Sequence, residues 1–133
     1  MQEVRHTPLL QTIMEPYKNE TEGFDPLTWF FYEDNHALWD GGSSLALMQG
    51  DGKDVYWVHT YYERRGKEAL AFSKECVSYA FNQLGAQVLK GATPIEKRAA
   101  RLAARLTGFK SHGIAETTSG PCEIFILTRN EWE

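Results

Sequence analysis

The stretch from Tyr56 to Phe109 decides the fold of this chain. It opens with YWVHTYY (56–62), runs through ERRGK (63–67) into a long helical pattern, and continues through VLKGATP (88–94) to RLAARLTGF (101–109). Aromatic and β-branched residues suit a strand, and the apolar residues of 68–84 recur at helical spacing. A strand that follows such a helix completes a β-α-β crossover, so residues 55–62 and 87–92 are predicted to lie parallel.

Outward from this stretch, turn residues mark off further elements. Residues 36–39 and 45–49 are short predicted strands, and Asp51-Gly52 is a hairpin signal that joins the second of them to 55–62. A short helical pattern covers residues 9–14. Residues 123–128 are predicted to pair with 109–116 across a turn at 119–121. The prediction is a mostly antiparallel sheet with one parallel pair and flanking helices.

Sequence signals mark both the start and the end of the second predicted helix. Thr93, Pro94 and Glu96 form the pattern of a capping box, which predicts a helix that begins at Pro94. Gly108 is predicted to end it. The residues expected to be buried on this helix are Ile95, Ala99, Leu102, Ala103 and Leu106.

Composition limits the class of protein. The chain has 133 residues, is 42% hydrophobic and carries a formal net charge of −4, so we expect a single domain over residues 1–133 and no nucleic-acid binding. No apolar run approaches the roughly 20 residues that a membrane helix requires, and no secretory signal is present, which favours a cytoplasmic protein without a membrane segment. Cys76 and Cys122 lack metal-ligand spacing, so no metal site is expected and both are predicted to be reduced, packed thiols.

The order of these elements resembles the GNAT superfamily, the acetyl-CoA-dependent N-acetyltransferases. Three segments carry the likeness, namely Arg65-Gly66-Lys67 after the first strand, Gly91-Ala92-Thr93-Pro94 after the second, and Leu106-Thr107-Gly108-Phe109 at the end of the second helix. Together they cover about residues 45 to 130. The sequence around Val58-His59-Thr60 also resembles that of acetyltransferase-like proteins of phage and prophage genomes. The resemblance implies an α/β (α+β) acyl-CoA N-acyltransferase fold with a curved mixed sheet.

Acetyl-CoA is the cofactor that the resemblance implies. In the family, the strand at 55–62 lends backbone groups to the pantetheine arm, which assigns Val58 and Thr60 to cofactor binding. The turn that follows offers amide groups at a helix start to the pyrophosphate. This assigns further cofactor-binding residues at that turn and on the basic second helix: Arg64, Arg65, Gly66, Lys67 and Lys97. Glu68 and Leu70 stand where the family has glycines, and the basic stripe of the second helix (Lys97, Arg98, Arg101 and Arg105) is a possible substitute for them.

The predicted catalytic residues are His59 and Glu63. Attack by an amine on a thioester needs a base. His59 on the central strand is a candidate, because the ordinary pKa of a histidine lies near neutral pH. Glu63, at the end of that strand, is the second candidate. The tyrosine that protonates the leaving thiolate in many family members corresponds here to Ala104, so Tyr61 and Tyr62 are the nearest hydroxyl candidates.

Two functions remain open from the sequence. The first is transfer of an acetyl group from acetyl-CoA to a small-molecule or peptide amine. The alternative is a catalytically degenerate GNAT-fold protein that acts as a binding or phage-assembly factor, with a homodimer or an assembly partner. Glu68, Lys97 and Ala104 favour the alternative, whereas the basic cluster and the Thr93-Pro94 cap favour the enzyme.

Overall fold

The architecture is that of a computed structural model, which describes residues 1–21, 23–62 and 66–133. The strands within these ranges are β1 (Gln2–Val4), β2 (His36–Trp39), β3 (Leu45–Gly50), β4 (Val55–Tyr61), β5 (Val88–Pro94), β6 (Lys110–Thr117) and β7 (Gly120–Thr128). The helices are α1 (Thr7–Met14), α2 (Pro26–Phe31), α3 (Lys67–Asn82), α4 (Arg98–Thr107) and α5 (Arg129–Trp132), and a 3₁₀ turn (Glu15–Tyr17) follows α1.

The strands form one mixed sheet in the order β1-β2-β3-β4-β5-β7-β6. The pair β4 and β5 is parallel and the other neighbours are antiparallel. The predicted hairpin at Asp51-Gly52 is confirmed, and Gly52 takes a positive φ of 89° that the turn requires. The predicted fold class, a mixed α/β sheet with flanking helices, is confirmed.

The parallel pair separates after three residues. Val55, Tyr56 and Trp57 face Val88, Leu89 and Lys90, and the register ends there although both strands continue for four more residues. The facing edges of residues 58–61 and 91–94 therefore have no strand partner across the gap. This splay opens the sheet at its centre.

Helices cover the two faces of the sheet and create two cores. Helix α3 packs on one face, where Phe72, Cys76 and Phe81 contact sheet residues such as Met48 and Leu89. Helices α1 and α2 pack on the other face, where the core comprises Val4, Leu10, Ile13, Met14, Trp29, Ala37, Leu45 and Leu47. Residues of β4 alternate between these faces, as the strand period of two dictates.

The predicted capping box at Thr93 is wrong. Strand β5 continues through Pro94, where Thr93 pairs with Glu123 and Pro94 with Cys122, and α4 begins only at Arg98 with Lys97 as its N-cap. A side-chain cap is worth about 1 kcal/mol, and seven residue pairs with β7 outweigh it. The predicted stop at Gly108 is confirmed, because that residue is the left-handed C-cap of α4 with φ 112°.

The predicted burial on α4 is also wrong. No residue of α4 is buried, and Leu102 and Leu106 are 56% and 55% exposed. The contact of α4 with β7 is instead made by two arginines, because the buried carboxylate of Glu123 on β7 accepts hydrogen bonds from Arg101 and Arg105. The Arg101 Nε to Glu123 Oε1 distance is 2.7 Å. Two arginines of the predicted basic stripe are thus bound to a protein carboxylate.

The cysteine prediction is confirmed: Cys76 and Cys122 are free and buried. Within the described ranges, no helix is long and apolar enough to cross a membrane.

Candidate functional site

A cavity of about 130 Å³ lies where β4 and β5 separate, between α3 and α4. Val58 and Thr60 of β4 form one wall, and Gly91 and Thr93 of β5 form the other. The α4 side of the cavity consists of small residues, Ala100, Ala103 and Ala104, with Thr107. Larger side chains at these positions would fill the space, so the alanines of α4 keep the cleft open. We call this space the interstrand cavity.

Polar groups of the interstrand cavity come from the end of β4 and from α3. The Tyr62 hydroxyl lies 2.8 Å from Ser73 Oγ, and both residues line the cavity with Cys76. Burial raises the pKa of the Tyr62 phenol well above its ordinary value. Tyr62 therefore stays a neutral hydrogen-bond donor throughout the physiological pH range.

His59 lies on the opposite face of β4. It is an exposed residue between Trp57 and Tyr61 on the side covered by α1 and α2, and its Nε2 lies 2.9 Å from Gln49 Oε1. Surrounding protein partly desolvates the ring and lowers its pKa below 6.5. A neutral His59 whose Nε2–H donates to Gln49 presents a lone pair on Nδ1, which is the form that a general base needs.

Sequence reasoning missed Gln49, although a signal for it existed. The hairpin at Asp51-Gly52 sets the β3–β4 register, in which Leu47 faces His59 and Gln49 faces Trp57. Gln49 is then a diagonal neighbour of His59 on the same face of the sheet, within reach of a long side chain.

The predicted cofactor-binding turn is described only in part. Glu63, Arg64 and Arg65 lie outside the described residues. Gly66 is the N-cap of α3 with φ 69°, a conformation suited to glycine, and Lys67 is the first helical residue. The first-turn amides of α3 follow directly, and such amides have no partner within their own helix.

Lys97, the predicted phosphate ligand from the second helix, forms an ion pair with Glu20. Its Nζ lies 3.4 Å from Glu20 Oε1, and both side chains are about half exposed. Glu20 precedes α2 and raises the pKa of Tyr61, a residue of β4, although burial is the larger cause of that shift. Lys97 and Glu20 therefore face each other near the open end of the splayed strands.

Among the residues that the structure describes, no three His, Cys, Asp or Glu side chains are grouped so that they could hold a metal ion.

No protein-family model matches this chain, and no curated protein matches its sequence. Solved structures do match. Aminoglycoside acetyltransferase AAC(6')-Ib, crystallised with coenzyme A and kanamycin, superposes with a TM-score of 0.67 at 16% identity, covering 94% of this chain and 90% of that one.

Two further acetyltransferases match as well. A mutant of spermidine N-acetyltransferase SpeG from Vibrio cholerae gives a TM-score of 0.73 at 13% identity and covers 98% of this chain and 95% of that one. A ribosomal-protein alanine acetyltransferase from Vibrio fischeri gives 0.63 at 10% identity, with 83% and 75% covered. The element order, the parallel pair that splays at the sheet centre and these superpositions agree, and the chain has the fold of the GNAT N-acetyltransferases.

Proposed function

We propose that this protein transfers an acetyl group from acetyl-CoA to an amine. The observation that carries the proposal is the placement of the interstrand cavity and of His59 on opposite faces of one strand, β4, at the point where it leaves β5. A thioester that reaches through the splay would meet an amine on the other side. Solved structures of the same fold hold coenzyme A or acetyl-CoA together with amine ligands.

The residues of the interstrand cavity fit the arm of acetyl-CoA. The cavity is narrow and is walled by alanines, Val58 and Phe125, which suits a thin chain with few polar groups. The unpaired backbone edge of residues 58–61 offers amide and carbonyl groups to that chain in place of a strand. The α3 start at Gly66 offers amides and a partial positive charge to phosphate groups, to which Lys67 adds a full charge.

The proton balance of the reaction assigns a role to His59. An amine attacks a carbonyl through its lone pair, so an ammonium must first lose a proton and the attacking nitrogen must lose another as the amide forms. The ammonium loses its first proton to solvent before it attacks. Nδ1 of His59 accepts the second proton, which the attacking nitrogen loses as the amide forms, while Gln49 holds Nε2. The resulting imidazolium releases its proton to solvent, to which His59 is exposed.

The leaving thiolate needs a proton on the other side. Ala104 stands at the family's tyrosine position and lines the interstrand cavity. Tyr62 lines the same cavity and is tied to Ser73, whereas Tyr61 lies on the opposite face beside Tyr17. We therefore assign the hydroxyl role to Tyr62 rather than to Tyr61.

The first test is calorimetric titration of the purified protein with acetyl-CoA and with CoA at two salt concentrations. Micromolar binding that weakens with salt is expected, because phosphate contacts are screened. A discontinuous assay by mass spectrometry then follows acetylation of a panel of amines. The proposal is wrong if neither acetyl-CoA nor CoA binds up to millimolar concentration.

Two observations favour a second candidate, a GNAT-fold protein that no longer transfers acetyl groups and serves as a binding or phage-assembly factor. Arg101 and Arg105 are bound by Glu123, and Ala104 supplies no hydroxyl. Cofactor binding would then be absent, and capture of a protein partner would be the positive result.

A further inference from the structure

Ser73 lies on the side of α3 that borders the interstrand cavity. It lines the cavity together with Cys76 and Val77, which follow it by three and four positions and so share its side of the helix. Cys76 and Val77 belong to the core beneath α3, whereas Ser73 is half-buried. An apolar side chain would pack at this position as it does at the two neighbouring ones, so packing alone does not explain a hydroxyl there.

The Tyr62 hydroxyl is the partner of Ser73. The two side-chain oxygens lie 2.8 Å apart, and the rings of Tyr62 and Phe72 meet edge-to-face with 5.5 Å between their centroids. Phe72 is buried. It therefore fixes the Tyr62 ring from the core side, while Ser73 holds the phenol oxygen at the wall of the cavity.

The direction of this hydrogen bond depends on what occupies the cavity. Either hydroxyl can donate to the other, and a phenol is the more acidic of the two, so Tyr62 is expected to donate when no ligand is bound. A thiolate is a charged acceptor and binds a donor more strongly than a neutral hydroxyl does. A thiolate in the cavity would therefore attract the Tyr62 proton, and Ser73 would become the donor to Tyr62.

We infer that Ser73 positions the Tyr62 hydroxyl toward the sulfur of CoA, because it donates a hydrogen bond to the phenol oxygen and leaves the phenol proton free for the thiolate. This inference rests on the proposed function and deepens it. As the carbon–sulfur bond breaks, its electron pair stays on sulfur, which takes the Tyr62 proton. The products are the amide, the CoA thiol and a Tyr62 phenolate, which regains a proton from water after CoA leaves.

The cavity makes a phenolate without a partner costly. Burial raises the pKa of the Tyr62 phenol well above its ordinary value, and the hydrogen bond with Ser73 acts in the opposite direction. Hydrogen bonds to charged groups are stronger than those between neutral groups. Ser73 should therefore stabilise the phenolate that develops in the transition state more than it stabilises the resting phenol, which is the condition for faster catalysis.

Ser73→Ala tests this role and keeps α3 folded, because alanine is the better helix former. With acetyl-CoA and the amine that the unaltered protein acetylates fastest, kcat should fall about tenfold to hundredfold, the effect of losing one hydrogen bond to a charged group. The calorimetric Kd of acetyl-CoA should stay the same. Ser73→Thr keeps a hydroxyl and should restore most of the rate. In a Tyr62→Phe background, Ser73→Ala should have no further effect.

Ser78→Ala is the matched control. Ser78 is a half-buried serine of the same helix whose Oγ accepts a hydrogen bond from Asn82 Nδ2, so its partner is a surface amide rather than Tyr62. This variant should keep both kcat and acetyl-CoA binding. An unchanged kcat in Ser73→Ala, a loss that Ser73→Thr does not restore, or an equal loss in the Tyr62→Phe background overturns the inference.

A titration of bound CoA needs no amine and separates this inference from the proposed function. The CoA thiolate absorbs ultraviolet light, and the complex with desulfo-CoA supplies the reference spectrum. The pKa of the bound thiol should be higher in Ser73→Ala than in the unaltered protein, because the hydrogen bond that favours the thiolate is weakened. Ser73→Thr and Ser78→Ala should leave that pKa unchanged.

The two proposals can then fail separately. If the pKa of the bound thiol depends on Ser73 but no amine is acetylated, the acetyltransferase proposal fails and the assignment of Ser73 to the CoA sulfur stands. If amines are acetylated and Ser73→Ala is as active as the unaltered protein, acetyl transfer stands and the Ser73 assignment is wrong.

Discussion

At the scale of single residues, the proposed acetyl transfer depends on two side chains that lie on opposite faces of the sheet. His59 and Tyr62 differ by three positions in the chain, and the alternation of β4 places them on different faces of the sheet. A base and a hydroxyl donor can thus serve opposite ends of one acyl transfer without meeting each other.

Replacing His59 with alanine should lower kcat/KM for the amine by about 10²-fold or more, the range that general-base catalysis contributes. The pH profile should change as well. Because desolvation lowers the His59 pKa from its ordinary value of 6.5, most of the base is neutral at that pH, and activity should fall as the pH drops further. The variant should lack this acidic limb.

His112→Ala is the control for that experiment, because His112 is an exposed histidine on β6. It should leave both the rate and the pH profile unchanged. An acidic limb that persists in His59→Ala would assign the titration to another group and remove His59 from the mechanism.

At the scale of secondary-structure elements, α4 determines whether the cleft is open. Ala100, Ala103 and Ala104 line the interstrand cavity, and the leucines at 102 and 106 face solvent. This is the reverse of what amphipathic spacing predicts, and it follows from the pairing of Arg101 and Arg105 with Glu123, which fixes the rotation of the helix.

Ala104→Leu should abolish acetyl-CoA binding, since the longer side chain would fill part of a 130 Å³ cavity. Ala99→Leu places the same side chain on the exposed side of the same helix. It should bind acetyl-CoA normally in the same titration. Loss of binding in both variants, or in neither, would show that the cleft does not hold the cofactor.

Glu123→Gln should lower the melting temperature at neutral pH by several degrees, because it removes the charge that holds α4 to β7. Hydrogen bonds from Ser111 and Arg101 are the main causes that lower the Glu123 pKa from 4.5 to about 2. A carboxylate with a lowered pKa stabilises the fold above the unfolded-state value and loses that contribution as the pH falls.

The stability of the unaltered protein should therefore decline between pH 4.5 and about 2 more steeply than that of Glu123→Gln. Thermal melts followed by circular dichroism across this range measure the difference. Glu116→Gln, on an exposed edge, serves as the reference. Parallel curves for the two Glu123 forms would exclude the ion pairs as a source of stability.

At the scale of the whole molecule, two cores share one sheet, and the core beneath α3 contains a thiol. Cys76 is 2% exposed, and burial raises its pKa well above the ordinary range. Cys122 is also buried. Both thiols become reactive only when the structure around them opens.

The native protein should consequently react slowly with an aromatic disulfide reagent, and both of its two cysteines should react at once after denaturation in guanidinium. Acetyl-CoA should slow the native reaction further, because Cys76 lines the interstrand cavity. The Cys76→Ala variant identifies which thiol is protected. Fast reaction of a full equivalent in the native state would contradict the burial of Cys76.

Much of the fold could be predicted because local patterns and packing agree along most of the chain. The strands at 36–39 and 45–50, the crossover through α3 and the C-cap at Gly108 all follow from periodicity and turn chemistry. The start of α4 could not, because Thr93 and Pro94 carry a helix signal that pairing with β7 overrides. The role of Glu123 was equally hidden, since a lone glutamate in an apolar strand shows nothing of its two arginine partners.

The site was less predictable than the fold because it depends on distances between elements. The strand pattern predicts the face on which His59 lies, but the neighbouring approach of α2 to the end of β3 is set by the hydrogen bonds of Asn35 and by the close contact between Gly50 and Asp34. The spacing of residues along the sequence does not predict these contacts between separate elements.

Pairing between β4 and β5 covers only three residue pairs, and this limits how far the thermal stability of the protein can be raised without loss of ligand binding. Each further residue pair between these strands would add backbone hydrogen bonds, and each would close the opening that the proposed ligand needs. Selection for heat tolerance alone is therefore expected to enrich variants in which β4 and β5 pair over more residues. In such variants a higher melting temperature would come with weaker binding of acetyl-CoA.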